Sequence, residues 1–267
     1  MKIDFHTHIF PEKIAARALM SMQNGLERNY GQKLPTYTDA TVMGLCASME
    51  KAGIDLSVVL PIATTPKQTE SINEYAKTVT GGGLISFGSV YPGQSDWERV
   101  LENLADDGFL GIKLHPEYQQ FYVDSRESID IINKCRKLGL TVVFHAGVDL
   151  GICPPVHCTP QRLRHVLEYT EGDNIVAAHL GGFELWDDVM TYLVGTNVIF
   201  DTSMLSAFAD KEICAKIIKA HGFGKVVCGS DSPWEAQGSN RKFLYEMGFD
   251  DAELGKMDET AKRLLRM

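Results

Sequence analysis

The amino-acid sequence predicts an α/β fold, a (β/α)8 TIM barrel, and three observations lead to this prediction. Eight short runs of apolar and β-branched residues recur along the chain, and helical patterns lie between them. The runs are too short for helices and lack strict polar–apolar alternation, which is typical of strands buried on both faces of a parallel sheet. The length of 267 residues also fits such a barrel, which usually takes about 250 residues.

The strands and helices follow from these patterns in chain order. The predicted strands cover residues 3–8, 56–63, 84–91, 109–115, 140–146, 174–180, 197–203 and 225–231. The clearest helical patterns cover residues 39–53, 96–108, 125–139, 158–170 and 206–222. The first three end at a glycine, a common helix terminator, and Thr159 can cap the fourth with Pro160 at its first position. Segment 9–55 is expected to hold two helices, which makes it a longer helical insertion after strand one.

An open, doubly wound sheet is the alternative to the barrel. Such a fold needs a phosphate-binding glycine turn after strand one, whereas the sequence has His-Thr-His at residues 6–8. The chain also shows no internal repeat, low-complexity stretch or linker. We therefore expect a single barrel domain over residues 1–267.

Composition and charge exclude several classes of partner. The chain has 35 acidic and 26 basic residues and a net charge of −9, so it lacks the basic surface that nucleic acids and acidic membranes require. No apolar run approaches the roughly 20 residues of a membrane span. The first eight residues lack the apolar region of a signal peptide, and the six cysteines include no C-x-x-C pair. We expect a cytoplasmic protein without disulfides that acts on a small molecule.

Polar residues gather where the predicted strands end. Strand one ends with His6 and His8, which are two residues apart and therefore point to the same face. The other residues at strand ends are Lys113, His115, His145, His179 and Asp231. Because the active site of such a barrel lies at the carboxyl ends of its strands, we expect these side chains to converge. The alternative for each lone histidine is an ordinary structural hydrogen bond.

Four of these residues form a candidate set of metal ligands. The set consists of His6, His8, His145 and Asp231. Imidazole nitrogens with a carboxylate suit one divalent ion, with Zn²⁺ expected first and Mn²⁺, Fe²⁺ or Co²⁺ also feasible. Such an ion lowers the pKa of bound water from about 15.7 toward about 7. Asp231 could also act as a general base, or merely as the N-cap of a following helix.

The remaining candidates are predicted to contact substrate. We expect His179 to be catalytic or to polarise the substrate. Lys113 could be a carbamylated metal bridge, a cation for a substrate carboxylate, or a solvated residue. His115 could be a ligand, a substrate contact or a residue that fixes its loop. Trp234 follows Asp231 closely and is expected to wall the site, although large aromatic residues often only pack.

Six motifs carry a resemblance to a known family. They are DFHTHIFP (4–11), GIKLHP (111–116), FHAG (144–147), AHLGG (178–182), FDTS (200–203) and GSDSPW (229–234). With these motifs the sequence resembles the amidohydrolase superfamily, and most closely the branch that includes aminocarboxymuconate semialdehyde decarboxylase. The resemblance implies the four metal ligands named above, a substrate or acid–base role for His179, and often a homodimer. It also implies a single ion, although Lys113 keeps a two-ion site open.

Two reactions fit this resemblance, and hydrolysis is the leading hypothesis. A hydrolase would direct metal-activated water at a small ester, lactone or amide, with Asp231 taking a proton from the water. A metal-dependent carboxy-lyase would instead decarboxylate an unsaturated or aromatic acid, and it should place a cationic side chain over the site. The candidates for that cation are Arg17, Arg28, Lys33 and Lys113. A metal-containing barrel that binds a ligand without turnover is a third interpretation, which the full set of polar residues disfavours.

Overall fold

The computed structural model describes residues 1–267 and confirms the predicted alternation of strands and helices. The strands are β1 (Ile3–Thr7), β2 (Leu56–Val59), β3 (Leu84–Ser86), β4 (Gly111–Leu114), β5 (Thr141–Phe144), β6 (Ile175–Ala177), β7 (Ile199–Asp201) and β8 (Val226–Val227). The α-helices are α1 (Glu12–Asn29), α2 (Val42–Ala52), α3 (Thr69–Val79), α4 (Trp97–Asp106), α5 (Pro116–Gln119), α6 (Arg126–Leu138), α7 (Pro160–Val166), α8 (Trp186–Tyr192), α9 (Leu205–Phe208), α10 (Lys211–His221), α11 (Gln237–Glu246) and α12 (Asp251–Leu264). None of these helices combines the length and the apolar character that a membrane span requires.

The eight strands form two parallel sheets that close on each other. One sheet has the order β1-β2-β3 and the other runs from β4 to β8 in sequence order. At one seam, the backbone N–H of Lys113 donates to the carbonyl oxygen of Gly88 at 2.9 Å. At the other seam, the N–H of Phe5 donates to the carbonyl oxygen of Cys228 at 2.7 Å. The last strand therefore meets the first, and the predicted (β/α)8 barrel is confirmed.

Apolar side chains fill the barrel and the layer outside it. One buried cluster brings together Val58 of β2, Val143 of β5 and Val227 of β8, none of which belong to adjacent strands. Strands on different sides of a barrel make such contacts through its interior. A larger cluster packs strand residues such as Phe144 against helix residues such as Ile131 of α6. Full burial of each such side chain contributes roughly 1.5–3 kcal/mol to folding.

Local sequence explains where the helices begin and end. The side chain of Thr159 caps α7 as predicted, because its oxygen accepts from the backbone N–H of Arg162 at 3.2 Å. The two helices expected after strand one are present as α1 and α2. The prediction of one helix over residues 206–222 was wrong, because α9 and α10 replace it. Asp210 separates them: its carboxylate accepts from the first-turn N–H groups of α10 and so starts a new helix.

The hydrogen-bonded ladders are shorter than the predicted strands. β2 ends at Val59, β3 at Ser86 and β8 at Val227. The predicted strands continue for several more residues, to positions 63, 91 and 231. The residues in between leave the ladders and form loops at the carboxyl ends of the strands. These loops carry part of the candidate site.

Candidate metal centre and active site

One cavity at the carboxyl ends of the strands collects the candidate site residues. It measures about 830 Å³, including space that is open to solvent. The predicted residues that line it are His6, His8, Lys113, His115, His145, His179, Asp231 and Trp234. They come from β1, from β4 and from the segments after β1, β4, β5, β6 and β8. The predicted convergence at one rim of the barrel is therefore observed.

Three of the four predicted metal ligands form a tight cluster, which we call the trio. His6 Nε2 lies 3.1 Å from His8 Nε2. Asp231 Oδ1 lies 3.1 Å from the first of these nitrogens and 3.0 Å from the second. Neighbouring ligands of one ion adopt such separations, because metal–nitrogen and metal–oxygen distances are about 2.0–2.2 Å. The trio of His6, His8 and Asp231 therefore has the spacing of a divalent metal site.

The hydrogen bonds behind the two histidines decide which ring nitrogens carry hydrogen. His8 Nδ1 donates to the carbonyl oxygen of Leu60 at 2.8 Å, and His6 Nδ1 donates to the carboxylate of Asp201 at 2.7 Å. In the neutral rings, both Nε2 atoms therefore carry lone pairs, and that of His6 also lies 3.2 Å from Lys113 Nζ. Two lone pairs and a carboxylate oxygen within 3.1 Å of one another repel unless a positive charge lies between them. A divalent cation, which the family resemblance implies, fits this donor set.

The charges around the trio also favour a positive occupant. Burial and the charge of Lys113 act to lower the pKa of His6, but Asp201 and Asp231 outweigh them and raise it. Burial acts to raise the pKa of Asp231, yet His6 and His8 hold this pKa well below its usual range. In the absence of a cation His6 therefore holds a proton more readily than an ordinary histidine, whereas burial lowers the pKa of His8. Metal binding is expected to release protons for the same reason.

Lys113 lies buried on the floor of the cavity and is not a solvated residue. Lys113 is 1% exposed, and its Nζ lies 3.2 Å from His6 Nε2. Burial lowers the pKa of Lys113 to about 8. A protonated lysine at this place would repel a divalent ion beside His6. Its two other predicted roles, a carbamylated bridge and a cation for substrate, stay predictions.

His145, the fourth predicted ligand, lies outside the trio. His179 Nδ1 donates to the carbonyl oxygen of Ser203 at 3.2 Å, so Nε2 of the neutral His179 ring is an acceptor. His145 Nδ1 lies 3.0 Å from that acceptor and donates to it. His145 Nε2 is buried and has no hydrogen-bond partner, which leaves it free for a ligand. Ligation by His145 of the ion that the trio would hold stays a prediction.

Asp201 at the end of β7 is a site residue that sequence analysis did not assign. Its carboxylate accepts from His6 Nδ1, from the backbone N–H of His179 at 2.9 Å and from that of Ser203 at 3.0 Å. It is fully buried, and the low dielectric of the interior strengthens these three contacts. Asp201 thereby orients His6, a predicted metal ligand, and the loop that carries His179. The available signal was an acidic residue at a buried strand end, in the motif FDTS.

Two site residues adopt a left-handed backbone. The φ angle is 55° at His179 and 67° at Asp231. This conformation costs a non-glycine residue roughly 1–2 kcal/mol, so surrounding contacts must hold it. The backbone N–H of Asp231 donates to the carbonyl oxygen of His6 at 2.8 Å, which ties the last loop directly to β1. The backbone therefore sets the direction of the Asp231 carboxylate.

A second polar pair, His115 and Asp149, lies on the cavity wall. His115 Nδ1 accepts from the backbone N–H of Tyr118 at 3.4 Å, so His115 Nε2 carries hydrogen. This Nε2 lies 3.3 Å from Asp149 Oδ2. With His145, the pair also offers ligand-type atoms within 4.8 Å of one another. In this tautomer His115 Nε2 carries hydrogen and offers no lone pair to a cation. Asp149 was not predicted, because its loop after β5 has no periodic pattern.

Solved structures with the same fold are similar over nearly the whole length. A TIM-barrel protein from Bordetella bronchiseptica is 16% identical, with a TM-score of 0.75 and coverage of 99% of this chain and 98% of that chain. A probable 2-pyrone-4,6-dicarboxylic acid hydrolase from Acinetobacter baumannii is 17% identical, with a TM-score of 0.66 and coverage of 100% and 99%. A 5-carboxyvanillate decarboxylase from Novosphingobium aromaticivorans, solved with bound manganese, is 13% identical, with a TM-score of 0.71 and coverage of 100% and 97%. At these identities the likeness shows a common fold.

The family is shown by the sequence itself. No protein of curated function matches this sequence significantly. The family model described as amidohydrolase matches residues 3–267, which is nearly the whole chain. This match confirms the resemblance that the six motifs carry. The chain belongs to the amidohydrolase family and is an enzyme of that superfamily.

Proposed function

We propose that the protein is a metal-dependent hydrolase that acts on a small ester, lactone or amide. The observation that carries this proposal is the trio, where two bare imidazole nitrogens and a carboxylate oxygen converge within 3.1 Å. Such a donor set holds one divalent ion and leaves positions open for water and substrate. Zn²⁺ is the ion that we propose first, because imidazole and carboxylate suit it well. Mn²⁺, Fe²⁺ and Co²⁺ are the alternatives.

The residues around the ion divide the proton transfers. When bound, the ion acidifies a coordinated water and polarises a carbonyl group. Asp231 is ionised and adjacent, so it accepts a proton from the attacking water. Burial lowers the pKa of His179 to about 4, so its ring is neutral and Nε2 is an acceptor. Because this Nε2 accepts, the tautomer disfavours the carbonyl-polarising role that the sequence suggested. The proton that Asp231 takes from water is the one that passes to the leaving group.

The second candidate is a metal-dependent carboxy-lyase that acts on an unsaturated or aromatic acid. One observation favours it: Lys113, a predicted partner for a substrate carboxylate, does line the cavity. The other three predicted cations, Arg17, Arg28 and Lys33, do not line it. Lys113 itself lies against His6 on the floor, so it is poorly placed to hold a carboxylate above the metal ligands. Hydrolysis therefore remains the first proposal.

The fate of solvent oxygen separates the two reactions. Metal-loaded enzyme is incubated in ¹⁸O-water with phenyl acetate, with the lactone dihydrocoumarin, and with 4-hydroxybenzoate. A hydrolase should place ¹⁸O in the carboxylate formed from the ester or lactone, as read by mass spectrometry. Release of carbon dioxide from the hydroxybenzoate, with no label in the phenol and none in any carboxylic acid from the ester or lactone, would contradict hydrolysis and support the lyase; carbon dioxide itself exchanges oxygen with water and is not read for label. A protein that binds metal but turns over no compound would support the interpretation without catalysis.

The proton-transfer role of Asp231 is tested by Asp231→Asn. We expect turnover to fall by about 100-fold or more, with part of the metal retained, because the amide still offers a ligand oxygen but cannot accept the proton. Asp173→Asn is the matched control, since Asp173 is an exposed carboxylate paired with Arg136. Metal content is measured by elemental analysis beside the rate. Undiminished turnover in Asp231→Asn would contradict the assignment.

Several further properties stay proposals. We infer a small-molecule substrate and no nucleic-acid or membrane partner from the acidic composition and the mostly apolar cavity. The cytoplasmic location, the single-domain organisation and the homodimer remain predictions from the sequence. Substrate contacts by His115 and Trp234 are supported by their position in the cavity lining.

A further inference from the structure

The cavity lining contains one cationic side chain, and this side chain lies on the cavity floor in contact with His6. Lys113 Nζ lies 3.2 Å from His6 Nε2, beside the trio. No arginine and no second lysine line the cavity. The part of a substrate that extends away from the trio therefore meets no positive charge. An anionic group there would lose its hydration without an opposite charge to replace it.

The cavity wall instead carries the carboxyl group of Asp149. Asp149 Oδ1 accepts from the backbone N–H of Gly151 at 2.7 Å, and Oδ2 lies 3.3 Å from His115 Nε2. Burial raises the pKa of Asp149 to about 6, so the carboxyl group is ionised above that pH. Apart from Lys113 on the floor, no lysine or arginine in the cavity lining compensates this charge. The pair therefore presents an acceptor and a negative charge to a bound molecule.

The rest of the wall is mostly apolar. Leu26 and Leu34 contribute from the helical insertion, Ile62 from the loop after β2, and Phe183 and Trp234 from the loops after β6 and β8. These side chains favour an apolar, ring-sized substrate body, because its transfer from water onto them is favourable. Apart from Tyr118, the one polar feature of this wall is the pair His115–Asp149. A substrate that reaches it gains by offering a hydrogen-bond donor.

We propose that Asp149 is a specificity residue, and that the substrate is a carbonyl compound with an apolar body that has no remote carboxylate and carries a hydrogen-bond donor such as a hydroxyl. This inference rests on the proposed hydrolase function and deepens it by naming the substrate class. The proposed class differs from the compounds for which two of the similar structures are named, a pyrone dicarboxylic acid and a carboxyvanillate.

Three matched esters test this selection. Phenyl acetate, 4-hydroxyphenyl acetate and 4-carboxyphenyl acetate differ only in the group that faces away from the reacting carbonyl. In each case water adds to the ester carbonyl and the bond to the phenolic oxygen breaks, which yields acetic acid and the phenol. With metal-loaded enzyme we expect kcat/KM for the carboxylated ester to lie about tenfold or more below that for the hydroxylated ester. The electron-withdrawing carboxylate improves the leaving group, so intrinsic reactivity opposes the expected order.

Substitutions of Asp149 show whether this residue causes the preference. Asp149→Asn keeps an acceptor oxygen without the charge and should reduce the preference to about threefold or less. Asp149→Lys should reverse it in favour of the carboxylated ester. Asp173→Asn, on the surface, should leave the preference unchanged. Binding of hydroquinone and of 4-hydroxybenzoate is measured by calorimetry on the same metal-loaded proteins, and the change between wild type and each variant cancels any direct contact of the carboxylate with metal.

The two readouts separate the two proposals. If no ester is hydrolysed but Asp149→Lys still shifts binding toward 4-hydroxybenzoate, the hydrolase proposal fails and the specificity assignment stands. If the esters are hydrolysed and neither the rates nor the binding affinities of the carboxylated compounds change in the Asp149 variants, the specificity assignment is overturned. Circular dichroism of each variant confirms that the comparison uses folded protein.

Discussion

At the scale of single residues, the site depends on which nitrogen of each histidine carries hydrogen. The carbonyl oxygen of Leu60 and the carboxylate of Asp201 take the Nδ1 hydrogens of His8 and His6. This leaves both Nε2 lone pairs directed at the same point as the carboxylate of Asp231. The arrangement is unfavourable without a positive charge and favourable with one. In the proposed metal site, affinity therefore depends also on residues that would not themselves touch the metal.

Asp201→Asn tests this arrangement at its charged acceptor, the carboxylate that takes the Nδ1 hydrogen of His6. The amide cannot hold the Nδ1 hydrogen of His6 as firmly as a carboxylate, so the affinity for Zn²⁺ or Mn²⁺ should fall by about 10–100-fold. Metal titration followed by calorimetry measures the change. Asp173→Asn, on the surface, is the control and should keep the affinity of the wild type. An unchanged affinity in folded Asp201→Asn would show that Asp201 serves the fold alone.

At the scale of elements, the segment between β8 and α11 places Asp231 and also buries an unusual carboxyl group. Neither side-chain oxygen of Glu235 has a hydrogen-bond partner, and the residue is 3% exposed. Burial raises the pKa of Glu235 to about 8, from an ordinary value of 4.5. The carboxyl group is therefore protonated in the folded protein near neutral pH and ionised in the unfolded chain.

The pH dependence of stability follows from that difference. A raised pKa in the folded state means that the free energy of unfolding decreases as the pH rises from about 4.5 to about 8. Glu235→Gln removes this dependence, so it should stabilise the protein relative to wild type by roughly 1–3 kcal/mol more at pH 8 than at pH 5. Urea denaturation at the two pH values measures this, with exposed Glu98→Gln as the control. Parallel pH profiles for Glu235→Gln and wild type would contradict it.

At the scale of the whole molecule, the trio joins the two ends of the barrel. His6 and His8 belong to the first strand and its end, and Asp231 follows the last strand. The backbone hydrogen bonds between β1 and the segment after β8 close the same seam. A bound ion should therefore stabilise the barrel as a unit, because its ligands are brought together only in the folded state.

Metal removal is expected to lower the melting temperature. At a free ion concentration about 100 times the Kd, binding contributes about 2.7 kcal/mol to the free energy of unfolding. For a chain of this size, that corresponds to a shift of roughly 5–10 °C between chelator-treated and metal-loaded protein. The shift should vanish in His8→Asn and persist in His165→Asn, whose histidine lies half exposed on α7. A shift in His8→Asn as large as in wild type would place the ion elsewhere.

The sequence predicted much of the fold and most of the polar residues that line the cavity, for reasons that are local. Alternation along β1 places His6 and His8 on one face, and Thr159 with Pro160 starts α7 as expected. The split of residues 206–222 into two helices was missed, because the apolar pattern of α10 continues into α9 across the capping residue Asp210. An apolar pattern of this kind indicates which face of a helix is buried. It indicates less reliably where one helix ends and the next begins.

The sequence alone determined the barrel, the family and the kinds of side chain at the strand ends. Strand periodicity and motif order can be read from the sequence without any interatomic distance. What only the tertiary structure decided is which of those side chains share one point. It placed Asp231 with His6 and His8, turned His145 toward His179, put Asp201 behind His6 and brought Asp149 from a loop onto the cavity wall. These relations depend on how non-adjacent loops pack and on the hydrogen-bond partners of each ring. Neither of these is encoded in the spacing of residues along the chain.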